Sequence, residues 1–399
     1  MYQLLADHPG ADTTAAPLAA ALDLPETDIS AALQQLHATH LVQRRPGDRY
    51  RLADRVRTHA SHLRGQEPPS ARTRQHARLI DFYAASAAAA VLLVAPEAHR
   101  FSPPVAHDTL ALRHADQRRA RAWFGWEHHV LRTVAATALG WGWDDVVVEL
   151  AEAVWHLARP GYHHDDLVHI QYAGHTAAAR SHPGIAPVFQ ARAAAGLSDL
   201  GRHDDAFAAA THTAAHAHDL GDAHLLALTQ SVSGRVQLAA GRADDAFQAL
   251  GNALRPQRRL IDDQFGHAVL HRRIGQAYLA LGHPQQALLH LRDSREEMTR
   301  AGHPLGAARA ATWLAEALVA TGRAGPAFAE LSQARELIGD TVAVRYRAQL
   351  DLTAARAAFH LGDIGITRRL TDTLITQLTH AGPGAAADLH AATELRNQL

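Results

Sequence analysis

The chain has 399 residues, a formal charge of −1 and an apolar share of 47%, of which aromatic residues make up only 6% of the whole. That length exceeds one small core and implies two or three domains, and the near-neutral charge gives no global pull towards nucleic acid or an acidic membrane. All 39 basic residues are arginine and cysteine is absent, which excludes a Walker A loop, Schiff-base chemistry, a pyridoxal phosphate anchor, disulfides, thiolate nucleophiles, iron–sulfur ligands and cysteine-based zinc. Alanine supplies much of the apolar content, and β-branched and aromatic runs are scarce, so the expected class is all-α. The longest apolar run, Ala84 to Ala95, falls short of the roughly 18 residues that span a bilayer and lacks the flanks of a signal peptide. The expectation is a soluble, cytoplasmic protein without a membrane partner.

In chain order, a short helical stub comes first. Thr13–Leu22 then reads as a helix, and Pro25-Glu-Thr-Asp28 opens another that runs from Ile29 to His40. The spacing of Leu18, Leu22, Ile29, Leu33 and Leu36 puts apolar side chains on faces that can pack together. Leu41 to Leu52 reads as two short strands around a Pro-Gly-Asp turn. Helix, helix, hairpin is the order of a winged helix, here residues 1–65 with a truncated first helix. Residues 66–142 read as a helical connector.

Internal repetition dominates residues 143–399. Glycine recurs at Gly161, Gly201, Gly241, Gly282, Gly322 and Gly362, at steps of 40, 40, 41, 40 and 40. Five residues after four of these glycines stands an alanine, followed by Phe207, Phe247, Leu288 or Phe328. A helix of about 16 residues ends at each glycine, which can take the left-handed conformation of a C-cap. Asp or Gln opens the next helix, the small alanine lets the pair approach, and the bulky neighbour fills the space between repeats. Most second helices end at a further glycine: Gly221, Gly302, Gly339 and Gly382. The unit resembles the tetratricopeptide repeat stretched to about 40 residues. Six of them predict a right-handed superhelical solenoid with degenerate ends around Pro160–Leu167 and Leu361–Arg368.

Three stretches, Leu4–Asp12, His37–Val42 and Gly47–Arg57, look like the winged helix of actinobacterial regulators of the AfsR type. Arg78-Leu-Ile-Asp-Phe-Tyr83 and Ala122-Trp-Phe-Gly-Trp-Glu127 resemble that family's connecting helix and its approach to the repeats. In those multidomain proteins an NB-ARC nucleotide-switch domain precedes the winged helix and the tetratricopeptide repeats. The sequence here carries no NB-ARC domain, as a dissected fragment or a stand-alone descendant would. The family's hairpin leads into a His–Asp pair whose histidine meets nucleotide phosphate; here that position is Ala53, and only Asp54 is kept. The chain is therefore expected neither to bind nor to hydrolyse ATP. The resemblance implies a role in regulating gene expression, of secondary metabolism in particular.

Thirty histidines raise the question of a metal. The helical pairs His212/His216 and His267/His271 match the number chance supplies, and His163-His164-Asp165-Asp166 falls on a repeat turn where solvated polar groups belong. Neither a metal site nor a cofactor is expected. Arg44, Arg45, Arg49 and Arg51 crowd the hairpin as a phosphate-contacting wing would. Yet residues 1–79 hold ten arginines against eight carboxylates, and Thr27–His40 has no arginine. DNA binding through the winged helix is the alternative reading. No nucleophile elbow, phosphate loop or HExxH motif supports catalysis, although an enzyme or enzyme accessory using the groove is a third class. The leading expectation is a non-catalytic adaptor binding a protein or peptide in the solenoid groove. The repeat register puts Trp155, Arg192, Ser231, Arg235, Arg272, Arg273, Gln276, Arg309, Trp313, Glu316 and Arg356 on its inner face. Several arginines there favour an acidic segment or a free C-terminal carboxylate. Because each repeat packs only on its neighbours, exposed groove arginines are expected to contribute little to folding. They should form a line of positive charge with Trp313 as an apolar anchor.

Overall fold

A computed structural model describes residues 1–96, 101–159, 161–260, 263–339 and 344–399. The first module holds α1 (Leu4–Asp7), α2 (Ala15–Leu22), α3 (Glu26–Ala38), β1 (Val42–Arg45), β2 (Arg49–Leu52) and α4 (Asp54–Gly65). The strands pair antiparallel with Val42 opposite Leu52, and Thr13 adds an isolated bridge to Tyr50. Gly47 and Asp48 both take positive φ at the tip, the conformation that closes a tight hairpin. Leu18, Ile29, Leu33, Val42 and Leu52 are buried, as their spacing requires, whereas Leu22 and Leu36 are only half-covered.

Two long helices, α5 (Pro69–Val94) and α6 (Gln117–Gly140), connect this module to the repeats. The whole of α5 is long and apolar enough to cross a bilayer, and 61% of its most apolar window is buried inside the protein. Counting uninterrupted apolar runs missed this, because the helix continues towards its N-terminus through a polar turn. Its apolar face packs on α2 and α6 and on the first repeat helix.

Six antiparallel pairs follow: α7 (Asp144–Ala158) with α8 (His164–Ser181), α9 (Ala186–Asp199) with α10 (His203–Leu220), and α11 (Ala223–Ala239) with α12 (Ala243–Gln257). Then come α13 (Gln264–Ala280) with α14 (Pro284–Arg300), α15 (Pro304–Ala320) with α16 (Ala324–Ile338), and α17 (Val344–His360) with α18 (Ile364–Leu378). A last helix, α19 (Ala386–Asn397), covers the end. This is an all-α solenoid of the tetratricopeptide type. All six periodic glycines lie between the helices of a pair, and the last five have φ of 74–76°. Pro160, before the first of them, is outside the described residues. Ala206, Ala246, Ala287 and Ala327 are fully buried where helices approach. In the first and last repeats that position is taken by Asp166 and Thr367, also buried. The neighbouring bulky residues are less uniform than expected. Leu288 is buried, but Phe247 is 37% exposed and lies edge-on to Tyr278.

The solenoid departs from a simple nearest-neighbour stack because its end returns to its beginning. Arg345 of α17 donates to both carboxylate oxygens of Asp199 at the end of α9, at 2.7 and 2.9 Å. The Tyr162 hydroxyl, in the first repeat turn, donates to Asp388 of α19 at 3.0 Å. Gly384 lies so close to this turn that a Cβ there would stand 2.6 Å from His164. Asp199 also accepts from Arg235 of α11, and Arg159 and His164 lie within 4.0 Å of it. Burial raises the cost of ionising Asp199, but Arg235, Arg345 and His164 outweigh it and hold the carboxyl well below its usual range.

Removing one partner of a buried pair strands the other's charge and typically costs about 3–5 kcal/mol. Asp199→Asn should lose stability on that scale in urea denaturation. Glu316→Gln, whose partner Arg356 is 41% exposed at its side chain, should lose about 1 kcal/mol or less. Equal losses would show that Asp199 does not hold the two ends together.

Candidate functional site

The repeat period explains which inner-face residues meet. Arg235, Gln276, Glu316 and Arg356 follow one another at steps of 41, 40 and 40, so they form one row along the first helices. That row links adjacent repeats. Arg235 donates to Ala195 O and to Asp199, and Arg356 donates to Glu316, which also accepts from Thr353. None of the four lines the cavity described next. Arg235 is no exposed groove residue, since its guanidinium is consumed by the contact that closes the solenoid. Trp313 does not line the cavity either: it is half-buried against the core of α14, α15, α16 and α17.

Trp155, Arg192, Ser231, Arg272, Arg273 and Arg309 do converge, on a cavity of about 210 Å³ inside the superhelix. Two arginines that the register did not identify join them. Arg159 ends α7, and Arg121 comes from the connector helix α6. Phe101, Phe265 and Tyr346 add aromatic walls. The expectation of solvated arginines fails here, because Arg121, Arg192, Arg272 and Arg273 are each at most 7% exposed.

The charges are unevenly matched. Arg192 forms a two-point pair with Glu152 at 2.8 and 2.9 Å. Burial alone would raise the Glu152 carboxyl, yet Arg192 and His156 hold it far below its ordinary range. Arg159 is over the Trp155 ring at 4.7 Å and Arg309 over Tyr346 at 4.3 Å. Arg273 donates to the neutral hydroxyl of Ser231. Arg121, Arg272 and Arg309 have no carboxylate partner among the described residues. Asp263, the acidic lining residue among those described, caps α13 through Gly266 N and accepts from Gln257. Nitrogens of Arg121, Arg159, Arg192, Arg273 and Arg309 are buried without a hydrogen-bond partner.

Burial, reinforced by mutual repulsion, pushes Arg272 and Arg273 well below the ordinary arginine value. Burial likewise lowers Arg121 and Arg309. A guanidinium does not surrender its proton near neutrality, so the downward push measures lost hydration and repulsion that a bound anion would relieve. Tyr346 reports the same field. Burial raises its phenol, but Arg309, Arg159, Arg345 and Arg272 outweigh that and bring it to about 8.

The turn cluster is also unlike its sequence reading. His164 is fully buried, and Asp166 is buried where repeats elsewhere have alanine. Asp166 Oδ2 lies 2.5 Å from His128 Nδ1 and 2.9 Å from His129 Nδ1, both on α6, and Asp166 Oδ1 accepts from Arg132 at 3.2 Å. His128, His129 and Asp166 bring three ligand atoms within 4.8 Å of one another and are the group among the described residues best placed to hold a metal. Arg132 already neutralises that carboxylate, so the arrangement is complete as an ion-pair network tying α6 to α8. His267 pairs with Glu297, and His212 meets Gln190.

Of the four hairpin arginines, Arg49 is withdrawn from any DNA-facing surface. It is 5% exposed and donates to Asp12 and to Glu127 of α6, which also accepts from Tyr83. The hairpin is thus docked on the connector. Arg44 pairs with Asp48, Arg51 with Asp54, and Arg45 reaches Gln43.

Tyr346 gives a direct test of the cavity's field. Ultraviolet titration should find one tyrosine ionising near pH 8, absent from Tyr346→Phe. Because its folded value lies below the unfolded one, the phenolate stabilises the fold above about pH 10, and that contribution disappears as pH falls through about 8. An anion in the cavity should move the transition back up. A tyrosine spectrum with no early step would contradict the charge assignment.

No protein-family model matches the chain. It is 29% identical over 293 residues to the regulatory protein AfsR of Streptomyces griseus, an alignment covering 72% of this chain and 30% of that protein. The chain thus spans less than a third of its relative's length. Among solved structures, a signal-transduction ATPase with a tetratricopeptide repeat sensor, PH0952 from Pyrococcus horikoshii, superposes with a TM-score of 0.42 at 11% identity, covering 100% of this chain and 59% of that one. A Rap protein complexed with competence and sporulation factor gives 0.44 at 10% identity, covering 68% and 96%. Scores so low add nothing to what the helix pairs establish. The sequence alignment is the informative comparison: over most of its length this chain is similar to an actinobacterial regulator of the AfsR type.

Proposed function

We propose that this chain is a non-catalytic regulatory scaffold that takes up an anionic ligand inside its closed solenoid, in the control of gene expression and of secondary metabolism in particular. The observation that carries the reading is that Arg121, Arg272, Arg273 and Arg309, around one cavity, have no acid partner among the described residues. Strongly perturbed charged groups that line a cleft mark candidate functional sites. Similarity to a regulatory protein supports the regulatory role. An extended peptide suits a long groove, whereas a cavity of about 210 Å³ suits the tip of a partner, such as a free C-terminal carboxylate or an acidic side chain, or a small anion. Ordinary drug-sized pockets run to roughly 300–1,000 Å³. The docked hairpin leaves DNA binding supported by Arg44 and Arg51, each already paired with an acid of its own module, and by Arg45 beside Gln43.

The two classes of arginine separate function from stability. Arg272→Leu removes a buried, uncompensated charge, so the empty chain should melt at the same temperature or higher. The same variant should lose the thermal stabilisation produced by an anionic ligand, worth about 2.7 kcal/mol at a hundredfold excess over the dissociation constant. Differential scanning fluorimetry with an acidic-terminus peptide and small anions measures both effects. A marked fall in the melting temperature of empty Arg272→Leu would mean that Arg272 serves the fold, and the reading would fail.

A further inference from the structure

The cavity's donors and charges discriminate among anions. Four arginines of its lining, Arg121, Arg272, Arg273 and Arg309, pair with no carboxylate among the described residues, and Arg121 Nε and Nη1, Arg273 Nε and Arg309 Nε are buried without a hydrogen-bond partner there. A carboxylate carries one negative charge, so a lone carboxylate leaves most of the charge of these four guanidiniums unmatched. A phosphate monoester carries about −1.5 to −2 charge at pH 7 and three strong acceptor oxygens. Among the described residues the nearby carboxylates do not change that balance. Glu152 is matched to Arg192, Asp199 is shared by Arg235 and Arg345, and Asp263 is held as a helix cap.

The remaining walls indicate what the phosphate is attached to. Guanidiniums lie over the rings of Trp155 and Tyr346, and that stacking keeps in-plane N–H groups free for a planar or tetrahedral oxyanion. Phe265, Leu305 and Met298 supply apolar surface in the same cavity. An apolar cavity of roughly 150 Å³ admits a benzene ring, so 210 Å³ admits one ring with a compact charged substituent. Lacking lysine, the chain can build a phosphate site only from arginine, backbone and neutral donors.

We infer that the ligand is a small phosphate monoester on a single ring, its phosphate held by Arg121, Arg272, Arg273 and Arg309 and its ring lodged against Trp155, Phe265 and Tyr346. This rests on the proposed anion-binding role and narrows it to a ligand class.

Calorimetric titration of the full chain compares phenyl phosphate, phenylacetate, inorganic phosphate, ATP and a peptide with an acidic C-terminus. Phenyl phosphate should bind with one-to-one stoichiometry, at least tenfold tighter than phenylacetate and inorganic phosphate, with no saturable heat from ATP. Arg121→Gln and Arg272→Gln should each weaken it at least tenfold, and Arg309→Gln serves if either fails to fold. Equal binding of phenylacetate, or tighter arginine-dependent binding of the peptide, would overturn the phosphate assignment while leaving an anion-binding scaffold intact. Unchanged affinity for phenyl phosphate in all three variants would also overturn it. If no anion on the panel binds, both the assignment and the proposed function fall.

Discussion

A single buried carboxylate, Asp199, holds together parts of the chain that a repeat array would otherwise leave apart. It sits at the last residue of α9, where Arg235 reaches it from the next repeat and Arg345 from 146 residues away in sequence. In an open solenoid the ends never meet, and stability is close to a sum over neighbours. Here the sixth repeat and the terminal helix return to the first repeat turn through Arg345, Tyr162–Asp388 and the close approach at Gly384. The array becomes a closed body, and its inner face becomes an interior.

That change of environment decides what the inner arginines mean. On an open concave face each guanidinium would keep its hydration, and its neighbours would be screened within about 8–10 Å. Inside the closed body the same side chains lose water and repel one another, as the lowered values of Arg272, Arg273 and Arg309 record. Arginine withstands this treatment where another base would shed its proton. The fold thus separates two groups along its first helices. Arg192 and Arg235 are matched to Glu152 and Asp199 and serve cohesion. Arg121, Arg272, Arg273 and Arg309 have no carboxylate partner among the described residues.

The N-terminal module obeys the same economy of charge. Arg49 could have been part of a basic wing, but its guanidinium is buried between Asp12 and Glu127, with Tyr83 and His8 extending the network. The winged helix is in this way a cap on the connector, and α5 and α6 carry its position into the repeats. Through Arg121, α6 also contributes to the cavity wall. Winged helix and cavity therefore share one element, α6, through Glu127 and Arg121.

The local elements were legible in the sequence because they are set by short-range constraints. Helix-ending glycines at a 40-residue step, buried alanines five residues on, and a Pro-Gly-Asp turn between strand residues each specify backbone geometry within a few positions. The register of the first helices was legible too, which is why six of the eleven groove residues line the cavity. What the sequence could not reveal was closure, since the pairing of Asp199 with Arg345 depends on the accumulated rotation of four repeats, where small angular differences add up. Packing across the superhelix accounts for the main departures: buried rather than solvated arginines, and Arg121 and Arg159 added from outside the register. The sequence by itself determined the helices and their period, because those are local and repeat. Only the tertiary structure decided which charges are paired, because pairing is a property of distance across the superhelix and not of spacing along the chain.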